Sequence, residues 1–261
     1  MARRSDPATG WEGMKMSALE ATTDCVPTVQ TTVKILDLVV MGQRADPRVP
    51  LLIRGEPGVG KDILARLIHA ATARQPYSFI KVNCAGQPED RVQADLFGHE
   101  MGASPLAVRR RLGSFEFANG GTIYLDEIGA LPRVLVPTLM RVLRTGEVSR
   151  PGGCEIIRVD GRVIASTVQG GPAGSDDDLW QELRRLNVAE LWIPPLRDRR
   201  NEIPVFASFF LERFNRRYRR NVQLSSDVLV AFGTHAWPGN IRELEQAVLR
   251  LVVGETMSTG P

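Results

Sequence analysis

The sequence has few cysteines and histidines and no long apolar run, and each shortage excludes a class of protein. Its three cysteines lie far apart, at Cys25, Cys84 and Cys154, so they form neither a disulfide framework nor a metal-binding pattern. The three histidines are equally isolated, which argues against a histidine metal site. No run approaches the roughly 18–20 apolar residues of a membrane helix, and the N-terminus lacks the apolar segment of a signal peptide. We therefore expect a cytoplasmic protein with reduced thiols and no membrane contact.

Lysine is scarce as well, because only four of the 33 basic residues are lysine and 29 are arginine. This bias is typical of a GC-rich bacterial genome, although arginine is also favoured for phosphate binding. The densest basic segment is RFNRRYRR at 213–220, which is either an anion-binding patch or the solvated face of a helix. With 261 residues, of which 43% are apolar, the chain can form a core domain and a small helical one.

Alternating strand and helix patterns predict a parallel β-sheet that is covered by helices on both faces. The predicted strands lie at residues 51–53, 79–83, 122–127, 162–167 and 191–194. The predicted helices lie at residues 27–42, 63–71, 134–143, 201–217, 225–234 and 239–252. Because no strand is predicted after Pro195, we expect an all-helical subdomain behind an α/β core. The predicted divisions are a flexible tail at 1–27, an α/β core at 28–195, a helical subdomain at 196–254 and a linker stub at 255–261.

The segment GEPGVGKD at 55–62 has the pattern of a phosphate-binding loop. Its glycines let backbone N–H groups turn towards a phosphate chain, and a helix N-terminus that attracts anions follows it. Lys61 would reach the β- and γ-phosphates, and Asp62 stands where such loops usually have a Ser or Thr ligand of Mg²⁺. The candidate nucleotide-binding residues of the loop are Gly55, Glu56, Pro57, Gly58, Val59, Gly60, Lys61 and Asp62.

A second motif, TIYLDE at 122–127, ends a predicted buried strand in two acidic residues. Open α/β sheets bind ligands at the C-terminal ends of their strands. Asp126 is expected to hold Mg²⁺ through water, and Glu127 to polarise the water that attacks the γ-phosphate. The two motifs together predict that the chain binds ATP and Mg²⁺.

Several further segments resemble the central AAA+ domain of bacterial enhancer-binding proteins, the ATPases that activate sigma-54 RNA polymerase. GEPGVGKD resembles that family's GESGTGKE, and GGTIYLDEIGALP is similar to its second nucleotide motif. The other matching segments are FIKVNCAG, DLFGHEMGA, RVLRTGEVSRPGG, LNVAELWIPPLRDRRNEIP and WPGNIRELE. The resemblance covers about residues 28–254 and implies an α/β AAA+ P-loop NTPase core with a small C-terminal helical lid.

The resemblance also implies roles for three more residues. Asn83 matches the switch that couples Glu127 to the nucleotide state, and Arg242 matches the sensor II arginine that touches the phosphates. Arg185 matches an arginine finger that reaches the ATP of a neighbouring subunit, where it would stabilise transition-state charge. The family therefore implies a homo-oligomer, normally a hexameric ring, that acts on an RNA polymerase sigma factor. It also implies that DNA is bound through a helix-turn-helix domain outside this chain.

The chain departs from that family at three places. The family's GAFTGA loop, whose tip contacts sigma-54, reads GASPLA at 102–107 and has lost an aromatic residue, a threonine and a glycine. Sensor I reads ASTV at 165–168, where valine replaces an asparagine and lacks its amide hydrogen bonds. Counting back from Arg185 places Leu179 or, with a short gap, Gln181 at the first arginine finger.

Two functions remain open. The first is a transcription regulator that hydrolyses ATP in a ring, only weakly because of these departures, and is impaired in sigma-54 remodelling. The second is a non-hydrolysing nucleotide sensor, responsive to a ligand such as cyclic di-GMP, that acts with sigma-70 polymerase or as a repressor. Lys61, Asp126 and Glu127 are spared by the departures, so ATP binding is expected in both cases.

Overall fold

The computed structural model describes residues 33–105, 107–168 and 178–254. The helices are α1 Val33–Arg44, α2 Lys61–Ala70, α3 Glu89–Phe97, α4 Ser114–Phe117, α5 Val136–Thr145, α6 Asp178–Arg185, α7 Ile203–Tyr218, α8 Ser226–Thr234 and α9 Asn240–Val253. The strands are β1 Leu51–Arg54, β2 Phe79–Asn83, β3 Gly98–His99, β4 Arg111–Leu112, β5 Thr122–Asp126, β6 Glu147–Ser149, β7 Ile156–Arg158, β8 Arg162–Thr167 and β9 Ala189–Trp192. None of the described helices is both long and apolar enough to span a membrane.

Five strands form a parallel sheet in the order β2-β5-β8-β1-β9. All six residues of the central strand β8 are buried, as are the first four of β5. Burial on both faces requires apolar runs rather than alternation, which is why these strands were predictable. The parallel direction places all five C-terminal ends at one edge, where Asn83 of β2 lies opposite Asp126 of β5.

The predicted strands at 79–83 and 162–167 are confirmed at their predicted bounds. The prediction of a strand at 191–194 is wrong by two residues, because β9 ends at Trp192, shortly before Pro194, which has no N–H for strand pairing. The predicted start of the first helix at residue 27 lies outside the described residues. Two short antiparallel pairs, β3 with β4 and β6 with β7, complete the described strands.

The chain forms two compact units, each with its own core. The sheet unit contains the described residues between 38 and 54 and between 64 and 192. The helical unit contains residues 33–37, 55–63 and 193–254, so the phosphate-binding loop groups with the helices after the sheet. In the helical unit, α7 buries a stripe of phenylalanines at spacing i, i+4 against α9, and these are Phe206, Phe210 and Phe214.

Candidate nucleotide-binding site

The loop at 55–62 follows β1 and leads into α2 through a tight turn. Gly58 and Gly60 have φ angles of 76° and 98°, a region that glycine enters without steric cost. A Cβ atom on Gly58 would lie 2.3 Å from the carbonyl oxygen of Gly239, so this position requires glycine. The turn leads the backbone directly to the N-terminus of α2, where the helix dipole attracts anions.

Lys61 is the first residue of α2, and it is only 9% exposed. Its ammonium group donates hydrogen bonds to the carbonyl oxygens of Gly55 at 2.8 Å and of Glu56 at 3.1 Å. The loop thus holds a positive charge against its own backbone. Asp62 follows in the first turn of the helix, where the dipole favours a carboxylate.

Glu56 anchors the loop to residues from the C-terminal part of the chain. Its carboxylate accepts hydrogen bonds from Arg197 at 2.6 Å and 2.8 Å and from the amide of Asn240 at 3.1 Å. The hydrogen bonds from Arg197, followed by that from Asn240, lower the pKa of Glu56 from 4.5 to about 2. Glu56, which was predicted to bind nucleotide, is therefore paired with the guanidinium of Arg197 in this structure.

Two buried side chains extend the anchor along the loop. Asn240 donates to the Pro57 carbonyl oxygen at 3.0 Å and accepts the N–H of Leu196 at 2.7 Å. Arg199 donates to the Val59 carbonyl oxygen at 2.8 Å. Three side chains, two of them buried, thus hold the loop through hydrogen bonds from the protein itself.

Sequence reasoning missed these three anchors, which are Arg197, Arg199 and Asn240. Each of them lies in a segment that resembles the family, LRDRR or WPGN. Their position in these segments could have identified them, because buried polar side chains are usually hydrogen-bonded, often to backbone groups.

Arg242, predicted as the sensor II arginine, begins beside the loop. If Gly58 carried a Cβ atom, that atom would lie 3.2 Å from the Cβ atom of Arg242. The side chain is exposed, and no hydrogen bond or ion pair joins it to any other residue in the described part of the chain. Its guanidinium is therefore available to an anion.

Asp126 ends β5 and is surrounded by donors from its own strand and from the two neighbouring strands. Lys81 of β2 lies 2.7 Å from its Oδ2 atom, and Ser166 of β8 donates to its Oδ1 atom at 2.9 Å. The hydroxyl oxygen of Tyr124 is 3.1 Å from the same Oδ1 atom. Burial alone would raise the pKa of Asp126, but the hydrogen bonds from Lys81 and Ser166 outweigh it, and the pKa lies below its ordinary value.

Glu127 lies just beyond β5, with a left-handed φ of 57°. Its carboxylate accepts the hydroxyl hydrogen of Thr167 at 3.0 Å and the backbone N–H of Val168 at 3.1 Å. The sensor I segment therefore binds this carboxylate through the Thr167 hydroxyl and a backbone N–H, and neither bond needs the asparagine side chain of the family. Asn83 instead accepts the N–H of Ala85 at 3.1 Å, and no hydrogen bond joins Asn83 to Glu127.

Magnesium does not fit beside Asp126 as the side chains stand. Mg²⁺ requires carboxylate and water oxygens in near-ideal octahedral geometry, whereas Oδ2 of Asp126 already faces the Lys81 ammonium at 2.7 Å. A divalent cation at the same oxygen would be repelled by that charge. In the described ranges, no three His, Cys, Asp or Glu side chains group as a metal site. The expectation that Asp126 holds Mg²⁺ is not supported by this arrangement.

The predicted arginine finger lies at the end of α6, where Arg185 is exposed and forms an ion pair with Glu182. Leu179, one of the two positions aligned with the first finger, is 3% exposed and belongs to the core of the sheet unit. Gln181, the other position, is half-buried. Only Arg185 among these three positions presents an exposed positive charge.

The GASPLA loop lies between β3 and β4 and rests against the β6–β7 hairpin. The N–H of Gly102 donates to the Ala107 carbonyl oxygen at 2.8 Å, which closes the loop on itself. At its base, the buried Arg150 binds Glu100 at 2.6 Å and Glu116 at 2.6 Å. These bonds raise the pKa of Arg150, with the Glu116 hydrogen bond as the largest cause. Leu106 lies outside the described residues.

Two protein-family models match the chain. A sigma-54 interaction domain matches residues 28–191, and an AAA+ ATPase lid domain matches residues 197–259. The regulatory protein AtoC of Escherichia coli (strain K12) is 44% identical over 217 residues, which are 81% of this chain and 46% of AtoC. The C4-dicarboxylate transport transcriptional regulatory protein DctD of Rhizobium meliloti (strain 1021) is 40% identical over 242 residues, which are 91% of this chain and 52% of DctD.

Solved structures with a similar fold were also found. NtrX from Brucella abortus, in a crystal structure with ATP, is 29% identical with a TM-score of 0.77, and the match covers 96% of this chain and 60% of that one. A cryo-EM reconstruction of Hsp104 has a TM-score of 0.63 at 16% identity and supports the fold alone. The chain spans about half the length of the curated relatives it matches.

Proposed function

The chain belongs to the family of sigma-54 interaction domains and has the AAA+ fold, and from this premise we propose that it is the ATP-binding domain of a bacterial transcriptional regulator. The observation that carries the proposal is the Lys61 ammonium, which the loop holds at the N-terminus of α2. Arg242 begins beside the same loop and is available for phosphate. The solved complex of a relative, NtrX, with ATP supports the choice of nucleotide.

Titration of ATP and ADP into the purified protein tests this proposal directly. We expect saturable binding of both nucleotides, because hydrogen bonds from Arg199 and Asn240 restrict the loop conformation and so lower the entropy cost of binding. A chain that binds neither nucleotide, with or without Mg²⁺, would contradict the proposal. The proposed nucleotide binding does not depend on Mg²⁺ at Asp126.

We propose that hydrolysis is weak. A general base must reach the attacking water, whereas the Glu127 carboxylate is held by Thr167 and by the N–H of Val168. Arg185, the proposed finger for a neighbouring subunit, is paired with Glu182 within its own helix. Both groups must leave these partners before they can act, which lowers the fraction of molecules that is competent.

ATP hydrolysis measured across a range of protein concentrations separates two forms of this function. Turnover that rises with concentration and disappears in Glu127→Ala would indicate a ring in which Arg185 acts between subunits. Binding without turnover would favour the second candidate, a nucleotide sensor that does not hydrolyse ATP. The specific observation in favour of the sensor is the pair of bonds that engages Glu127.

We propose that the GASPLA loop is impaired in sigma-54 remodelling. The loop has Ser104 and Pro105 where the family has an aromatic residue and a threonine, so it lacks the large apolar contact and is restricted in φ. A complex with sigma-54 in the presence of a transition-state analogue of ATP is therefore not expected. Co-elution of the two proteins on a sizing column would contradict this part of the proposal.

The remaining parts of the proposal concern the whole protein. We propose a homo-oligomer, hexameric as the resemblance implies, that acts in the cytoplasm on an RNA polymerase sigma factor. DNA binding is assigned to a helix-turn-helix domain outside this chain. The support is the similarity to transcriptional regulators such as AtoC and DctD.

A further inference from the structure

Three adjacent strands direct polar side chains to one carboxylate, that of Asp126. Lys81 stands opposite Tyr124 in the β2–β5 register, and the two lie on the strand face that also carries Asn83 and Asp126. Ser166 comes from β8, the strand on the other side of β5. The sheet itself therefore positions these three donors, and no flexible loop is involved.

Both oxygens of Asp126 are engaged by these donors. Lys81 lies 2.7 Å from Oδ2. The buried Tyr124 hydroxyl donates to Ser166 at 2.8 Å, and Ser166 donates to Oδ1 at 2.9 Å. The carboxylate thus receives one full positive charge and a relayed hydrogen bond from its own protein.

A divalent cation normally has two tasks in phosphate-binding loop proteins. It neutralises phosphate charge, and it is held by a loop Ser or Thr together with an acidic residue of the second motif. In this chain Asp62 occupies the hydroxyl position, as an acidic residue also does in the family's GESGTGKE, so the distinguishing feature is that Asp126 is already neutralised by the ammonium of Lys81. Protein groups therefore occupy the ligand position at Asp126 and supply the charge that a metal would supply there.

We propose that Lys81 is the resident cation of Asp126, so that this chain binds nucleotide without a divalent cation. The inference rests on the proposed nucleotide-binding function. Lys81 is a positioning residue: it determines the metal requirement through Asp126. The phosphate charge is met by Lys61 and by the exposed Arg242 instead.

The first test is a titration of ADP in excess EDTA and again in excess Mg²⁺. For the unmodified protein we expect dissociation constants that agree within about threefold, since coupling between linked ligands is ordinarily about fivefold or more. For Lys81→Met we expect binding at least about tenfold tighter in Mg²⁺ than in EDTA, because Asp126 then has an open, uncompensated oxygen.

Two controls separate the charge of Lys81 from its packing. Lys81→Arg keeps the positive charge and is expected to keep the low metal dependence. Arg48→Met removes an exposed cation elsewhere in the sheet unit, where its ion pair within the described residues is with Asp46, and the ratio of the two dissociation constants should not change. Circular dichroism of each variant shows whether it is folded before it is titrated.

The outcomes distinguish failure of the proposed nucleotide-binding function from failure of the inference about Lys81. Failure of the unmodified protein to bind ADP in either buffer would overturn the proposed function. Binding by the unmodified protein only in Mg²⁺ would overturn the inference and leave the function intact. Equal affinity of Lys81→Met in the two buffers would also overturn the inference, because Lys81 would then not determine the metal requirement.

Discussion

The phosphate-binding loop and the acidic end of β5 are both held in place by their own protein, but by different kinds of contact. The loop is held through its backbone carbonyl groups, which accept bonds from Arg199 and Asn240. The acidic pair is held through its carboxylates, which accept bonds from Lys81, Ser166 and Val168. In the loop the Lys61 ammonium is bonded to neutral backbone carbonyl groups, whereas Asp126 is paired with the charged ammonium of Lys81.

This difference leads to different expectations for the loop and for the acidic pair. A loop fixed through its backbone is ready to bind phosphate, because pre-organisation reduces the entropy cost of binding. Carboxylates that are saturated by donors must break bonds before they can act on water or metal. We therefore expect binding to be robust and chemistry to be slow, and the following predictions test that contrast.

The largest effect is expected at the loop. Lys61→Ala removes the charge at the N-terminus of α2, so nucleotide binding should fall below detection in a calorimetric titration. Glu127→Ala is the matched variant in the acidic region and should leave ADP affinity within about threefold, because Glu127 is predicted to act on water rather than to bind. Unchanged affinity in Lys61→Ala would refute the assignment of the loop.

The second effect concerns the stability of the loop anchor. Asn240→Ala removes bonds to Pro57 and Leu196 and places alanine at a φ of 55°, so unfolding should be easier by about 3 kcal/mol. Asn215→Ala, which loses only a pair of bonds to the half-buried Val222, should cost about 1 kcal/mol. Urea unfolding measures both values, and equal losses would show that Asn240 has no special role.

The third effect concerns the hydrogen-bond relay to Asp126. Tyr124→Phe should cost about 1 kcal/mol, because it removes the hydrogen bond to Ser166, and Ser166→Ala about 2 kcal/mol, because it removes the bonds to both Tyr124 and Asp126. The double variant should cost less than the sum of the two, because the hydroxyl groups are each other's partners. Chemical unfolding of the four proteins tests this cycle, and strict additivity would mean that the relay is not coupled.

The smallest effect is a pH dependence at Glu56. Its pKa is lowered from 4.5 to about 2, so the stability it contributes is present above about pH 4.5 and is lost as the pH falls towards 2. Since Glu56 is partly exposed, the contribution should stay below about 1 kcal/mol. Glu56→Gln should therefore lose less stability than the unmodified protein across this window. Parallel acid-induced losses in urea unfolding would contradict the assignment.

Much of the fold could be predicted because the strands are short β-branched or apolar segments between turn signals. RVIAST, which is buried throughout, and FIKVN, an edge strand with only Val82 buried, are both strands at their predicted bounds. The bounds of β9 were wrong because apolar residues continue past its end, and only Pro194 marks where pairing must stop. The pairing of β3 with β4 could not be predicted, since two residues in each strand carry no periodicity.

The candidate site could be proposed from the sequence where its residues are neighbours in the chain. The loop is one segment of eight residues, so its glycines and Lys61 can be recognised together. The partners of Glu56 and Asp126 are not neighbours in the sequence, since Asn240 is 184 residues from Glu56 and Ser166 is 40 from Asp126. Side-chain contacts over such separations depend on the folded register of strands and helices, which local patterns do not specify.

The buried Arg150 has a consequence for protein engineering. Its guanidinium joins Glu100 before the GASPLA segment, Glu116 after it and Glu155 on the β6–β7 hairpin, so the ends of the segment form a fixed mount. A short loop sequence between such fixed ends can be exchanged while the geometry of its base is retained. The corresponding loop sequence of an active relative could therefore be grafted into this chain, which would serve as a scaffold for comparing different loop sequences.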